Sequence, residues 1–176
     1  GQAERVEETA VRLLGQLVDL ESPDNESDVL FLRWAARLHE IGISVAHNSF
    51  HKHGAYILTF ADMPGFSKKE QARLALLVLG QRGKLEKLMA MPQSDDSWRL
   101  LFCLRQAALL HRSRDGHQLP ELLLRCGGGG YQLEVSADWL EENLLTAAVM
   151  ADETLAWQRI GAPLRIKHRA AVASVG

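Results

Sequence analysis

The chain has 176 residues, 47% hydrophobic and 24% charged, with a formal net charge of −2. So apolar a composition excludes a disordered chain, and the length suits one large domain or two small ones. No run approaches the roughly 18 uninterrupted apolar residues of a membrane span; the longest lie near Leu74–Leu79 and Leu144–Met150.

The chain starts Gly1-Gln2-Ala3-Glu4, with no Met and no apolar leader, so no signal peptide is expected. It opens inside a helical pattern, which reads as a piece of a longer protein. Val6, Ala10, Leu13, Leu14 and Leu17 fall on one stripe, predicting an amphipathic helix over 3–20 that ends before Pro23. Asp28 is expected to cap a second helix, carrying Val29, Leu30, Leu32, Trp34, Ala35 and Leu38, that Gly42 ends. A third helix is predicted from about His51 to Phe60, followed by a turn at 63–66. Ser67-Lys68-Lys69-Glu70 spells a capping box, and the helix it opens carries Leu74, Leu77 and Val78 to Gly80. Ser94 or Asp95 starts the next helix, with Leu101, Leu104, Ala108 and Leu109 facing inward.

After Pro120 the period changes from helical to alternating. Residues 121–125 and 131–135 flank four glycines, Gly127 to Gly130, and read as a loose hairpin. A phosphate-cradling loop would need a helix directly after the glycines, and a strand pattern follows instead. Asp138 and Glu141 are expected to open one long helix to about Ile160, and Leu164-Arg165-Ile166-Lys167 to form a closing strand. The expected fold is mainly α: a helical domain over 1–117, then a small β-β-α-β module over 118–176. Cys103 and Cys126 lack the spacing of a zinc site and are both expected as buried small hydrophobes in a reducing compartment.

Charge alternates in blocks: −6 over residues 1–30, +5 over 31–92, −4 over 93–162 and +3 beyond. The positive block also holds His39, His47, His51 and His53. Such a block is either a solvated helix surface or an anion-binding one, since clustered cations raise the local potential. The overall pI near 6.4 argues against nucleic-acid binding.

Leu38-His39-Glu40-Ile41-Gly42, closing an apolar helix, resembles the HD superfamily of metal-dependent phosphohydrolases. An imidazole and a carboxylate at adjacent positions of a helix end can converge on one divalent cation. The strings His47 to Leu58, Asp62 to Ser67, Glu70-Gln71, Leu77-Val78 and Arg82-Gly83-Lys84-Leu85 are similar to the C-terminal region of the Ppx/GppA family of exopolyphosphatases and guanosine pentaphosphate phosphohydrolases. The resemblance covers residues 1 to about 112, and the tail is similar to the extra module of the longer, exopolyphosphatase-type members. It implies an HD-like helical domain. Set against the HD pattern, Gln2, Gln81 and Ala108 occupy positions where ligands would stand, leaving His39 and Glu40 as a degenerate pair. Alanine cannot bind a metal, so the metal site is expected to be lost, with His39 in a hydrogen-bonding role. A site of His39, Glu40, His47 and His51 unaided is the alternative.

The resemblance further implies that hydrolysis belongs to an actin-like N-terminal half absent from these residues, with Mg²⁺ acting there. The first expectation is therefore a non-catalytic accessory part of an exopolyphosphatase that binds polyphosphate and helps form a homodimer. The expected ligand contacts are His47, His51, Lys52, His53, Arg82, Lys84 and Lys87, with Lys68, Lys69 and Arg73 as an outer ring. Alternatives are the corresponding part of a guanosine pentaphosphate phosphohydrolase, a catalytic HD-type phosphohydrolase, and a purely structural element built on Trp34, Trp98, Trp139 and Trp157. The expected location is cytoplasmic, with peripheral attachment to the inner face of the cell membrane as a further option.

Overall fold

A computed structural model describes residues 1–38, 65–112 and 118–170. These residues contain six α-helices, two short 3₁₀ helices and three strands. No helix among them is long and apolar enough to cross a membrane. The chain divides into two compact units, Gly1–Arg112 and Ser113–Gly176.

In the first unit, α1 spans Gln2–Leu14 and buries Val6, Ala10, Leu13 and Leu14. It stops six residues short of the predicted end. The backbone tightens after Leu14, with Gln16 N donating to Leu13 O and Leu17 N to Leu14 O. Leu20 folds back over Gly15, whose missing Cβ would lie 2.9 Å from Leu20 Cδ1. A 3₁₀ turn at Pro23–Asn25 leads directly into α2, Glu26–Leu38. Ser22 caps that turn through Asp24 N, so Asp28 does not serve as the cap. It lies within the first helical turn and binds arginines from elsewhere. Ser67 and Glu70 form the predicted capping box of α3, Lys68–Gly80, with bonds of 3.1 and 2.9 Å.

Helix α4, Ser97–Leu110, begins slightly later than predicted because Asp95 Oδ1 accepts from Ser97 N at 2.8 Å. Its residues Leu100, Leu101, Phe102, Cys103 and Leu104 are fully buried. It packs against α1, α2 and α3, so this helix is the centre of the unit's core. Gly80 ends α3 where Leu88 and Leu101 leave no room; a Cβ there would lie 2.6 and 2.8 Å from their methyls.

In the second unit β1 (Leu123–Gly127) and β2 (Gly130–Ser136) pair antiparallel, and β3 (Leu164–Arg169) joins β2 in parallel. The four-glycine tip is tighter than a loose loop. Gly127 pairs with Gly130, and only Gly128 and Gly129 turn, with φ of +61° and +80°. Two consecutive left-handed residues match the twist of a hairpin, and glycine adopts them without strain. Gly130 meets a different constraint. Its Cβ would lie 2.3 Å from the Pro163 carbonyl, which accepts from Tyr131 N.

The single long helix expected after β2 is two helices, α5 (Ala137–Glu142) and α6 (Leu144–Arg159). Asn143 breaks them with φ −130° and ψ 62°, and Ser136, not Asp138, caps α5 through Trp139 N. Leu124, Leu133, Val135 and Leu164 are buried, and Tyr131 meets Trp157 edge to face at 5.5 Å. Cys103 is buried, whereas Cys126 is exposed, one residue from the end of edge strand β1.

Candidate functional site

Of the residues expected to contact ligand, His47, His51, Lys52 and His53 lie outside the described residues, as do His39 and Glu40. The described remainder sits in the turn that follows α3. Gln81 and Arg82 leave the helix, Gly83 takes φ +82°, and Lys84 precedes the 3₁₀ turn Leu85–Leu88. A buried cation fixes this backbone. Arg105 of α4, only 7% exposed, donates Nη1 to Gly80 O at 2.9 Å and Gly83 O at 3.0 Å. Leu85 and Leu88 point into the core, which leaves Arg82, Lys84 and Lys87 exposed on the opposite side. Lys87 Nζ donates to Arg82 O at 2.8 Å. One short turn therefore carries three exposed cationic residues on a backbone held by Arg105.

Other cations of the positive block have structural partners. Arg73, placed in the outer ring by sequence, donates to Asp28 at 2.7 Å and Ser97 Oγ at 3.0 Å, and lies over the Phe31 ring. Arg33 and Arg37 hold Glu7, a carboxylate 5% exposed, at 3.1 and 2.8 Å. Burial pushes the Glu7 carboxyl up, but the bonds from Arg37 and Arg33 outweigh it and leave the group below the ordinary glutamate value. Lys68 and Lys69 remain exposed in the first turn of α3.

The positions where an HD site would hold ligands are occupied differently. The Gln2 side chain donates to His111 O, and Thr9 Oγ1 lies 2.6 Å from His111 Nε2, so α1 is fastened to the end of α4. Burial, with Arg5 and Arg12 nearby, holds the half-buried His111 below the ordinary histidine value. Gln81 is 4% exposed, and neither its amide oxygen nor its amide nitrogen has a hydrogen-bond partner among the described residues. Among the described residues no group of three or more His, Cys, Asp and Glu stands together as a metal site.

Sequence reasoning missed a second set of cations on the small sheet. Arg125 pairs in register with Gln132, and Gln132 with Arg165, across the three strands. Together with glycines of the hairpin tip they line a groove of about 380 Å³. Alternation along each strand was readable, but the row exists only once the register is known.

A family model described as "Ppx/GppA phosphatase, domain III" matches residues 1–154. Curated relatives carry the name guanosine-5'-triphosphate,3'-diphosphate pyrophosphatase. That of Vibrio vulnificus is 31% identical over 171 residues, 94% of this chain and 34% of the relative. That of Aeromonas hydrophila is 33% identical over 168 residues, 93% of this chain and 34% of the relative. That of Pseudoalteromonas atlantica is 32% identical over 163 residues, 90% of this chain and 32% of the relative. The chain thus spans about a third of the length of the relatives it matches.

Proposed function

The chain belongs to the Ppx/GppA phosphatase family, and from that premise we propose that it is the accessory portion of a hydrolase that removes the terminal phosphate of guanosine 5'-triphosphate 3'-diphosphate. In this reading the bond is cut by another part of the same protein, to which we also assign Mg²⁺. This portion contributes phosphate-binding cations and a homodimer contact in the cytoplasm. The observation that carries the reading is the match to relatives named for that substrate, which for the Vibrio vulnificus relative covers 94% of the chain. The match runs through the small α/β unit, so that unit gives polyphosphate no preference over the guanosine substrate. Inorganic polyphosphate is the second substrate considered, because three exposed cations on one turn suit any chain of phosphates.

The Arg82, Lys84 and Lys87 turn is the described part of the proposed contact surface, with His47, His51, Lys52 and His53 completing it. Guanidinium and ammonium donors make charge-assisted hydrogen bonds to phosphate oxygens. Several such contacts release counterions, so affinity falls steeply as salt rises. Gln2, fastened to His111, and Ala108 on α4 disfavour an HD-type metal reaction in this portion.

The test is phosphate release by the longer protein that contains this chain, set beside this chain alone. The longer protein is expected to hydrolyse guanosine 5'-triphosphate 3'-diphosphate faster than long polyphosphate, and the chain alone neither. Release by the chain alone would overturn the accessory role, and a preference for polyphosphate would replace the substrate. Arg82→Ala with Lys84→Ala is expected to raise KM and leave kcat nearly unchanged.

A further inference from the structure

We propose that the outward face of the three-stranded sheet binds di- and oligophosphates through Arg125, Gln132 and Arg165. This site shares no residue with the turn at Arg82–Lys87 and does not rest on the function proposed for it.

Register and alternation establish the row. Residues paired across strands project from the same face, and successive residues along a strand project from opposite faces. Leu124, Leu133 and Val135 face the core, so Arg125, Gln132 and Arg165 project outward. Strands lie about 4.8 Å apart, which sets the two arginine Cα atoms about 10 Å apart with the glutamine between them. Two guanidinium groups on long stems can close on adjacent phosphates over that span. The Gln132 amide supplies a neutral donor in the middle.

The groove is electrostatically unfilled. Arg125 and Arg165 are exposed, and neither has an ion-pair partner among the described residues. Arg169, further along β3, contrasts with them: it donates to Glu121 O at 3.1 Å and lies 3.7 Å from the Glu121 carboxylate. Among the described residues no acidic side chain lines the groove. In the next row along the same face Glu134 stands opposite Lys167 in register, so the row of two arginines without a carboxylate lies at the hairpin end. At that end a Cβ on Gly127, Gly128 or Gly129 would meet nothing within 4 Å, so the ligand has open access to the backbone.

The chemistry selects phosphate over a nucleobase. Planar guanidinium groups match phosphate oxygens two at a time. Base recognition on an open sheet uses stacked aromatic rings. None of the outward positions on these strands is aromatic, and Tyr131, which borders the groove, is buried against Trp157.

The test is a titration of the ¹⁵N-labelled chain at about 50 mM salt, without magnesium, using tripolyphosphate and, separately, GTP. The readout is the amide shifts of Gly127–Gly130 and the Gln132 side chain. Both ligands are expected to move these signals saturably and with similar affinity. Arg125→Gln with Arg165→Gln is expected to weaken binding there roughly tenfold or more. The corresponding double lysine variant should fall between the two, because it keeps charge and loses the fork. Arg82→Ala with Lys84→Ala should leave these signals unchanged. Absence of saturable shifts, equal affinity in the double glutamine variant, or a response to GTP alone would overturn the site.

Discussion

Several arginines of the two units are used in opposite ways. In the helical unit, Arg33 and Arg37 close on buried Glu7, Arg73 on Asp28 and Ser97, and Arg105 on the carbonyls of Gly80 and Gly83. In the small unit, Arg125 and Arg165 face an open groove without an ion-pair partner among the described residues. A cation that holds two helices together cannot also hold a ligand without releasing its first partner. Charge counting along the chain placed the positive block in the helical unit, yet part of that charge is already neutralised inside it. The difference teaches that anion binding is set by which cations the fold leaves unpaired.

Substitutions in the two units sharpen or break this contrast. Arg105→Met should have the largest effect, since it strips two carbonyls of a buried charged donor. We expect a loss of about 2–4 kcal/mol in chemical unfolding, with hydrogen exchange rising at 80–85. A loss under about 0.5 kcal/mol would show that this arginine is as dispensable as a surface one. Glu7→Gln comes next, at about 1–3 kcal/mol, because it removes the carboxylate that joins α1 to α2.

Acid should act on the same unit. Burial, with Arg5 and Arg12 nearby, holds the folded-state value of His111 below its ordinary one, so the stability it contributes as a neutral ring is complete above that ordinary value and is lost as pH falls beneath it toward the folded value. Glu7 is likewise lowered, so its contribution is complete above the ordinary glutamate value and is lost as pH falls through the lower, folded value. Thermal unfolding from pH 7 downward should therefore show two successive losses, the second absent in Glu7→Gln. The smallest effect belongs to Arg125→Gln with Arg165→Gln, expected to change stability by no more than about 0.5 kcal/mol. A larger cost would mean that these arginines also have structural work.

Local signals were legible where the chain interacts with its near neighbours. The Ser67–Glu70 capping box, the α1 stripe and the hairpin could be read directly, because each depends on spacings of two to four residues. Boundaries failed where a distant or competing contact intervened. Leu20 packing on Gly15 accompanies the early end of α1, Ser22 and Ser136 took capping roles assigned to aspartates, and Asn143 divided one helix into two. Cys126 looked like a core residue by composition and lies exposed on an edge strand.

The candidate site was legible in part. The cluster at Arg82, Lys84 and Lys87 could be read because all three share one short turn. The removal of Arg73 from it could not, since Asp28 and Ser97 come from other helices. Nor could the row of Arg125, Gln132 and Arg165, whose members are 7 and 33 residues apart in sequence.

By itself the sequence determined the family, the mainly helical body and the small β-containing module, because hydrophobic period and motif strings are local properties. Tertiary structure alone decided which cations remain unpaired, how Gln2 is used and which side chains form a row across the sheet. Those outcomes depend on electrostatic and hydrogen-bond partners brought together from remote segments, and one-dimensional spacing does not encode which partner arrives first.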